Sequence, residues 1–287
     1  MTYATPQALR AALEARIRNE SSATGISPDR LRRRVTFQRI VVRLQRAEPG
    51  CWVIKGGMAL EVRLRDAARL TKDIDLGLRD DAGDAADLRE RLVDALNRDD
   101  DDDGFEFAVG PPSPMAEDGG GEMTWRVAVE IRLAGRPFAS IRLDVSPRAY
   151  ELDATDIVPL PNSLDFAGVD TVQVEIVDVH RHAAEKLHAM LRDFGDRDNS
   201  RVRDLVDLML LQEYGLLSAS RLSVVVTAVW AERNSSTPPA TFPDLPASWP
   251  DRYELIAAEN HIDPPSFSAA TARAAELWSE MFPIKEA

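Results

Sequence analysis

The order of apolar and polar positions along the chain predicts three kinds of region in succession. Over residues 6–20 apolar side chains recur every four positions, which is typical of an amphipathic helix. Ser27 and Pro28 are a typical start for a second helix, whose apolar stripe continues to Pro49. Residues 1–50 are therefore predicted to form an N-terminal helical segment.

From residue 51 the pattern alternates between strand and helix spacing. Strands are predicted where apolar residues run together or occupy every second position, and helices where they recur at three and four. Gly135-Arg136-Pro137 predicts a hairpin between the last two strands. The predicted order is strand 52–54, helix 58–66, strand 73–78, helix 84–97, and strands 105–109, 124–133 and 138–145.

After about residue 176 the spacing becomes helical again. One helix carries Leu187, another carries Leu205, and a last helix is predicted over 268–281. A Pro- and Ser-rich stretch over 234–250 is predicted to be a linker or an excursion from the helical domain. The predicted organisation is thus a helical segment over 1–50, an α/β core over 51–175 and a C-terminal helical domain over 176–287.

The composition is that of an ordinary globular protein. The 287 residues are 44% hydrophobic and 29% charged. No apolar run approaches the ~20 residues that a transmembrane helix needs. Residues 1–5 show neither a basic leader nor an apolar signal segment, so we expect a cytoplasmic protein with no membrane partner.

The charge is unevenly distributed. The net charge of −13 disfavours a protein that coats nucleic acid, yet residues 1–50 contain ten arginines and four acidic residues. The five aspartates over 99–103 predict a solvated loop rather than a metal site. The arginine-rich second helix fits a solvated face, a surface for phosphate backbones or a surface for an acidic partner. Its arginines are Arg30, Arg32, Arg33, Arg34, Arg39, Arg43 and Arg46.

The candidate chemistry begins at a glycine turn followed by paired aspartates. Gly56 and Gly57 follow the apolar strand, and Asp73 and Asp75 flank Ile74 in the strand predicted over 73–78. Side chains at i and i+2 of a strand point to the same face, so the two carboxylates project together. Paired carboxylates favour Mg²⁺ or Mn²⁺, and a nearby glycine turn suits a metal-bound triphosphate.

Two further groups of residues carry candidate chemistry. Asp144 lies in an alternating strand, where it is either solvated or a third carboxylate that deprotonates a hydroxyl or completes a metal site. Lys186 lies in a helix of small and apolar residues, so its ammonium needs an anionic partner, either a carboxylate or a phosphate. Asp204 and Asp207 are spaced i,i+3, share one helix face and could pair with it.

In this order the motifs resemble the AbiEii/AbiGii nucleotidyltransferase family, over about residues 50–212. That family includes abortive-infection toxins and the mycobacterial MenT toxins, and it is a branch of the polymerase-β-like nucleotidyltransferase superfamily. The resemblance implies the α+β fold class, with a polymerase-β-like core of mixed sheet and helices followed by a helical domain. The matching segments are Lys55-Gly56-Gly57-Met58-Ala59-Leu60, Thr71-Lys72-Asp73-Ile74-Asp75-Leu76, Ala184-Glu185-Lys186-Leu187-His188-Ala189 and Arg203-Asp204-Leu205-Val206-Asp207-Leu208.

The resemblance also implies roles for these residues. Gly56 and Gly57 would approach the triphosphate, Lys186 would contact phosphate, and Asp204 or Asp207 would position that lysine or a metal. The metal ligands would be Asp73 and Asp75, with Asp144 as the third carboxylate.

One position departs from the superfamily pattern. The superfamily usually has Gly-Ser at the turn, whereas the second position here is Gly57. The hydroxyl contact to phosphate would therefore be missing, and Thr71 or Lys72 would compensate for it.

The implied reaction is Mg²⁺- or Mn²⁺-dependent transfer of a nucleoside monophosphate from an NTP to an acceptor hydroxyl. In the characterised toxin relatives the acceptor is the 3′ end of tRNA, and an antitoxin opposes the toxin. Arg32, Arg33 and Arg34 would then contact the tRNA backbone. Two alternatives stay open: transfer to a protein or small-molecule hydroxyl, and a non-catalytic binding protein of the same fold.

Overall fold

The computed structural model describes the whole chain except residues 1, 70, 72, 116–122, 148–151, 193–194, 196–197, 235 and 284–287. The chain divides into two compact units. The first unit comprises Met1–Arg65 and Leu70–Val177, and the second comprises Asp66–Arg69 and Asp178–Ala287. Lys72 and the glycines over 119–121 lie outside the described residues.

Two long helices begin the first unit, and each starts at a proline that directly follows the N-cap residue. The Thr5 side chain accepts a hydrogen bond from the N–H of Ala8, and that of Ser27 accepts one from the N–H of Arg30. Both caps satisfy N–H groups that lack a partner within the helix. The helices of this unit are α1 (Pro6–Thr24), α2 (Pro28–Ala47), α3 (Gly56–Leu64) and α4 (Ala85–Leu96).

One mixed sheet forms the centre of the first unit. Its order is β3-β5-β6-β2-β1-β8-β7, and the short β4 also pairs with β5. β2 is parallel to β6 and β1 is parallel to β8, whereas the other pairs are antiparallel. The strands are β1 (Trp52–Lys55), β2 (Asp73–Leu78), β3 (Phe105–Val109), β4 (Ser113–Pro114), β5 (Trp125–Leu133), β6 (Arg136–Ser146), β7 (Thr155–Pro159) and β8 (Gln173–Val177).

Alternating burial along the strands produces the core of the first unit. In β3 and β5 every second side chain is buried, as the period-two pattern predicts. The hairpin between β5 and β6 turns at Ala134 and Gly135, whose φ angles are +53° and +71°. The apolar stripes of α1 and α2, including Leu13 and Ile40, belong to the same hydrophobic cluster.

The second unit contains helices on either side of an irregular stretch. The helices are α5 (Val179–Leu191), α6 (Val202–Glu213), α7 (Ala219–Asn234), α8 (Pro250–Asn260) and α9 (Phe267–Met281). The stretch predicted to be a linker packs against α9, because the Trp278 indole donates to the carbonyl of Pro239 and contacts the ring of Phe242. None of the helices in the described part of the chain is long and apolar enough to cross a bilayer.

The fold contains elements that the sequence pattern did not predict. β7 is an edge strand with Ile157 exposed and Pro159 at its end, so it lacks a clear apolar alternation. β8 ends in two adjacent buried residues, Ile176 and Val177, next to the cap of α5, so its alternation runs directly into the helical spacing that follows. In α7 a run of valines over 224–226 carries β-branched side chains, which favour strands and obscured the helical spacing.

Candidate active site

The glycine turn places a carboxylate against the backbone. Helix α3 begins at Gly56, directly after the buried strand β1. Gly56 has φ +55°, in the left-handed region that favours glycine. A Cβ on this residue would lie 1.8 Å from Oδ2 of Asp75. The carboxylate of Asp75 can therefore lie against the start of α3 because residue 56 has no side chain.

Gly57 is packed in a similar way against Thr71. A Cβ on Gly57 would lie 2.8 Å from both Cβ and Oγ1 of Thr71. The Thr71 hydroxyl donates to the carbonyl oxygen of Asp73 at 3.2 Å. The threonine hydroxyl thus lies in the space that a serine side chain at position 57 would need. A role for Thr71 in supplying the hydroxyl that the turn lacks stays a prediction.

The two aspartates of β2 share a face of the sheet. Asp73 and Asp75 are half-buried, whereas Ile74 and Leu76 are each 1% exposed. This burial pattern is the one that the i,i+2 spacing predicts. Two carboxylates therefore project from one side of the strand, next to the glycine turn.

The register of the sheet places Asp75 in a row of four charged residues on neighbouring strands. Lys55 on β1 and Asp144 on β6 both lie opposite Asp75, one on each side of β2. Arg126 on β5 in turn lies opposite Asp144. Directly opposite residues share a face, so Lys55, Asp75, Asp144 and Arg126 form one charge row. Two carboxylates occupy its centre and a cation occupies each end.

Arginine side chains bind the candidate metal-ligating carboxylates of Asp144 and Asp73. Nε and Nη2 of Arg126 donate to Oδ1 and Oδ2 of Asp144 at 2.7 and 2.6 Å. Nε of Arg142 donates to Oδ1 of Asp73 at 2.9 Å. The hydrogen bonds to Asp144, together with the charges of Asp73 and Asp75, raise the pKa of Arg126. Both guanidinium groups therefore neutralise carboxylates that would otherwise repel one another.

This group of carboxylates fits a divalent cation by its donor chemistry. Asp73, Asp75 and Asp144 offer the hard oxygen ligands that Mg²⁺ and Mn²⁺ prefer. The bound guanidinium groups are cations held by the same oxygens. Within the described part of the chain, no three His, Cys, Asp or Glu side chains are close enough to hold one ion. Coordination by all three aspartates would therefore require their side chains to move.

In the second unit, Lys186 is held by two carboxylates. Its ammonium donates to Oδ1 of Asp204 at 3.0 Å and to Oδ2 of Asp207 at 2.6 Å. Burial alone would lower the pKa of Lys186, but the charges of Asp207 and Asp204 outweigh that effect and raise the pKa. Helices α5 and α6 therefore bring together a lysine and two aspartates that sequence analysis singled out.

The two aspartates differ in their surroundings. Asp207 is 0% exposed, and it also accepts hydrogen bonds from Nε and Nη2 of Arg69 at 2.6 and 2.7 Å. Burial would raise the pKa of Asp207, but Lys186 and Arg69 lower it below the ordinary value. Asp204 is 8% exposed, and Arg201 lies 3.9 Å away. Asp207 thus anchors the cluster, and Asp204 is its more accessible carboxylate.

Sequence analysis did not identify Arg69. It is one of 31 arginines and lies 138 positions from Asp207 along the chain. No local periodicity or motif distinguishes it, because its role depends on a contact between distant segments.

The arginines in the middle of α2 neutralise the aspartate loop. Nε of Arg39 and Nη2 of Arg43 donate to the two oxygens of Asp103 at 2.6 and 2.7 Å, and Arg39 also binds Asp101. Asp103 is 0% exposed. The prediction that residues 99–103 form a solvated loop is therefore wrong for Asp101 and Asp103, because buried guanidinium groups require anionic partners.

The three candidate RNA-binding arginines also differ from one another. Arg32 donates from Nε and Nη2 to the carboxylate of Glu14 at 3.1 and 2.8 Å. Nε of Arg34 donates to Glu61 at 3.1 Å. Arg33 is exposed and forms no ion pair with any described residue. Contact with RNA stays a prediction for all three, and Arg33 is the arginine whose charge faces solvent.

Comparisons with known proteins agree on nucleotidyl transfer. Residues 39–275 match a family described as the nucleotidyl transferase AbiEii toxin of type IV toxin–antitoxin systems. No curated protein matches the sequence.

Solved structures extend the comparison to the fold. MenT4, a nucleotidyltransferase toxin from Mycobacterium tuberculosis H37Rv, is 18% identical, with 95% of this chain and 90% of that chain covered and a TM-score of 0.57. JHP933 from Helicobacter pylori is 17% identical, with 86% and 88% covered and a TM-score of 0.42. The match to MenT4 shows the predicted α+β nucleotidyltransferase fold.

Proposed function

The chain belongs to the AbiEii family of nucleotidyltransferase toxins, and from that premise we propose a specific reaction for it. The protein transfers a nucleoside monophosphate from an NTP to the 3′ end of tRNA and so blocks translation. The acceptor hydroxyl loses its proton to water, and its oxygen forms a bond to the α-phosphorus. The bond from the α-phosphorus to the oxygen of the β-phosphate breaks, and pyrophosphate leaves.

The observation that carries this proposal is the position of Asp75. Its carboxylate lies against Gly56, at the start of α3, and opposite Asp144 in the neighbouring strand. The first N–H groups of a helix lack partners within it and favour phosphate. An anion-binding turn and paired carboxylates therefore lie side by side, as a metal-bound triphosphate requires.

Some side chains of the proposed site bind the nucleotide, and others hold the metal that neutralises its phosphate charge. Mg²⁺ or Mn²⁺, held by Asp73, Asp75 and Asp144, would neutralise the phosphate charge that develops as pyrophosphate leaves. Thr71 provides a hydroxyl beside the glycine turn. Lys186 keeps its positive charge, because its pKa is raised, and contacts a phosphate.

Family membership also bears on partners. A toxin of a toxin–antitoxin system implies an antitoxin. We propose that tRNA is the acceptor and that the protein acts in the cytoplasm. Arg33, whose guanidinium is exposed, is the candidate contact for the tRNA backbone.

A second candidate changes the acceptor. Arg32 and Arg34 are paired with glutamates, and this pairing reduces the positive charge that α2 presents to RNA. This observation favours transfer to a hydroxyl of a protein or small molecule. The glycine turn, the carboxylates and the lysine would keep the same roles.

Labelling experiments distinguish these possibilities. The purified protein is incubated with Mg²⁺, total tRNA and each α-labelled NTP in turn. We expect labelled tRNA with at least one NTP, and no label in tRNA whose terminal ribose has been oxidised with periodate. Asp75→Asn should abolish labelling, whereas Asp170→Asn, at an exposed position of the same unit, should retain it.

Three results would contradict the proposal. Labelling of protein without labelling of tRNA would select the second candidate. If none of the four NTPs labels any acceptor, or if Asp75→Asn labels tRNA as well as the wild type does, the proposed site is wrong.

A further inference from the structure

Arg126 forms a two-point hydrogen-bonded contact with Asp144, one of the three candidate metal-ligating aspartates. It lies opposite Asp144 in the register and binds both carboxylate oxygens, at 2.7 and 2.6 Å. Such two-point arginine–carboxylate pairs are stronger and more directional than pairs with a single hydrogen bond. The side chain of Asp144 is 10% exposed and that of Arg126 is 35% exposed, so the pair is partly shielded from water.

The neighbouring arginine provides a useful contrast. Arg142 donates a single hydrogen bond to Asp73, at 2.9 Å, and its side chain is 52% exposed. An exposed ion pair with one hydrogen bond contributes little, because water and salt screen it. The cation bound to Asp144 is therefore harder to displace than the cation bound to Asp73.

A divalent cation and Arg126 require the same oxygens of Asp144. The guanidinium group uses both oxygens at once, and two positive charges at one carboxylate repel each other. A divalent cation can reach Asp144 once this two-point contact is broken. Asp144 lies opposite Asp75. When Arg126 leaves, the carboxylate of Asp144 is no longer neutralised, and two negative charges then face each other across the strands.

We propose that Arg126 is a displaceable cation that competes with the divalent metal for Asp144 and thereby sets the metal affinity of the site. It is a positioning residue, which holds Asp144 beside Asp75 until a metal replaces it. No motif in the sequence marks this residue. The inference rests on the proposed metal site at Asp73, Asp75 and Asp144.

The test is the affinity of the intact protein for Mn²⁺, measured by isothermal titration calorimetry and by electron paramagnetic resonance of free Mn²⁺. Arg126→Met removes the competing charge, so we expect Mn²⁺ to bind at least about tenfold more tightly. Arg142→Met removes one positive charge from the same region but leaves Asp144 occupied. We expect that control to change the affinity less than about threefold.

A second pair of variants shows whether Asp144 mediates the effect. In an Asp144→Asn background, Arg126→Met should leave the Mn²⁺ affinity unchanged, because the oxygens for which Arg126 competes have lost their charge. Thermal unfolding by circular dichroism verifies that each variant folds. Mn²⁺ should raise the unfolding temperature of Arg126→Met more than that of the wild type.

The outcomes separate this inference from the proposed function. If the wild type binds Mn²⁺, Asp73→Asn weakens that binding and folded Arg126→Met binds no more tightly than the wild type, the competition is disproved while the metal site stands. An equal increase in Mn²⁺ affinity for Arg126→Met and Arg142→Met would also disprove the competition, because the loss of one positive charge would by itself explain the increase. If neither the wild type nor Arg126→Met binds Mn²⁺, both the metal site and the inference fail.

Discussion

Asp75 and Asp144 lie directly opposite each other in the parallel strands β2 and β6. Neighbouring carboxylates on one face of a sheet repel, and such pairs destabilise a sheet unless a cation neutralises them. Here Arg126 binds Asp144, and the carboxylate of Asp75 lies against Gly56. The pair therefore lies between the guanidinium group of Arg126 and a helix N-terminus, an arrangement suited to a metal-bound ligand.

Replacing Gly56 should damage both stability and activity. Gly56→Ala places a methyl group 1.8 Å from Oδ2 of Asp75, at a backbone φ of +55°. The clash and the left-handed backbone together should lower the free energy of unfolding by about 2–4 kcal/mol. Urea denaturation measures this loss, and nucleotidyl transfer should fall because Asp75 is displaced.

Gly135→Ala is the matched control for that substitution. Gly135 also has a positive φ, +71°, but a Cβ there would meet no atom within 4 Å. The free energy of unfolding should fall by about 1 kcal/mol, from backbone strain alone. The transfer activity should be retained. If the two variants lose the same free energy of unfolding, the close approach of Asp75 to Gly56 does not contribute to the effect of Gly56→Ala.

Thr71 should supply a hydroxyl for the nucleotide. Thr71→Ala is expected to raise KM for the NTP by about 10- to 150-fold, which corresponds to the loss of one hydrogen bond to a charged group, about 1.5–3 kcal/mol. Thr71→Ser keeps the hydroxyl and should stay close to the wild type. Steady-state kinetics with varied NTP concentration measures the effect.

A double substitution provides a stricter check on the same hydroxyl. Gly57→Ser alone would clash with Thr71, because a Cβ at position 57 lies 2.8 Å from both Cβ and Oγ1 of the threonine. Combining Gly57→Ser with Thr71→Gly removes both of these threonine atoms and returns a hydroxyl to the turn. We expect the double variant to have a lower KM than Thr71→Gly alone, and an unchanged KM would argue against a role for the hydroxyl.

The cluster around Asp207 should make stability depend on pH. Since the pKa of Asp207 is lowered in the folded protein, its contribution is fully present above the unfolded value of about 3.9 and is lost as the pH falls through the lower folded value. Asp207→Asn leaves Arg69 and Lys186 with one carboxylate fewer, and it should destabilise by about 3–5 kcal/mol at neutral pH.

Denaturation of the wild type and of Asp207→Asn at several pH values tests this relationship. The difference in unfolding free energy should be constant between pH 5 and 8 and should shrink below about pH 4. Asp204→Asn should lower the unfolding free energy less than Asp207→Asn does. Asp204 is more exposed, and its ion pairs are with Lys186 and, at 3.9 Å, with Arg201. A difference that stays constant down to pH 2 would contradict the lowered pKa of Asp207.

Charge reversal in α2 should separate RNA contact from structural pairing. Arg33→Glu changes an exposed side chain, so it should raise KM for tRNA while the unfolding free energy changes by less than about 0.5 kcal/mol. Arg32→Glu places a second carboxylate next to Glu14, so the repulsion between the two should destabilise the protein. If Arg33→Glu leaves tRNA labelling unchanged over a range of salt concentrations, α2 does not contact the tRNA backbone.

Local sequence patterns were sufficient for many elements of the fold. The strand β3 was predicted at its observed bounds, and β5, α4 and α9 within one residue, because apolar periodicity and helix caps act over a few positions. The shared face of Asp73 and Asp75 follows from the same period. β7 was missed because its side chains do not alternate clearly between buried and exposed, and β8 because its last residues run directly into the helical spacing of α5.

The sequence by itself determined the chemical groups: a glycine turn, a same-face aspartate pair, a third aspartate and a lysine that needs anionic partners. The tertiary structure alone decided which groups meet. Strand register set Asp75 beside Asp144 and Asp144 beside Arg126, while packing brought Arg69 to Asp207 and Arg39 to Asp103. These pairs join residues that lie 18 to 138 positions apart. Local periodicity cannot specify such contacts, because they depend on how separate elements pack and on how buried charges find partners.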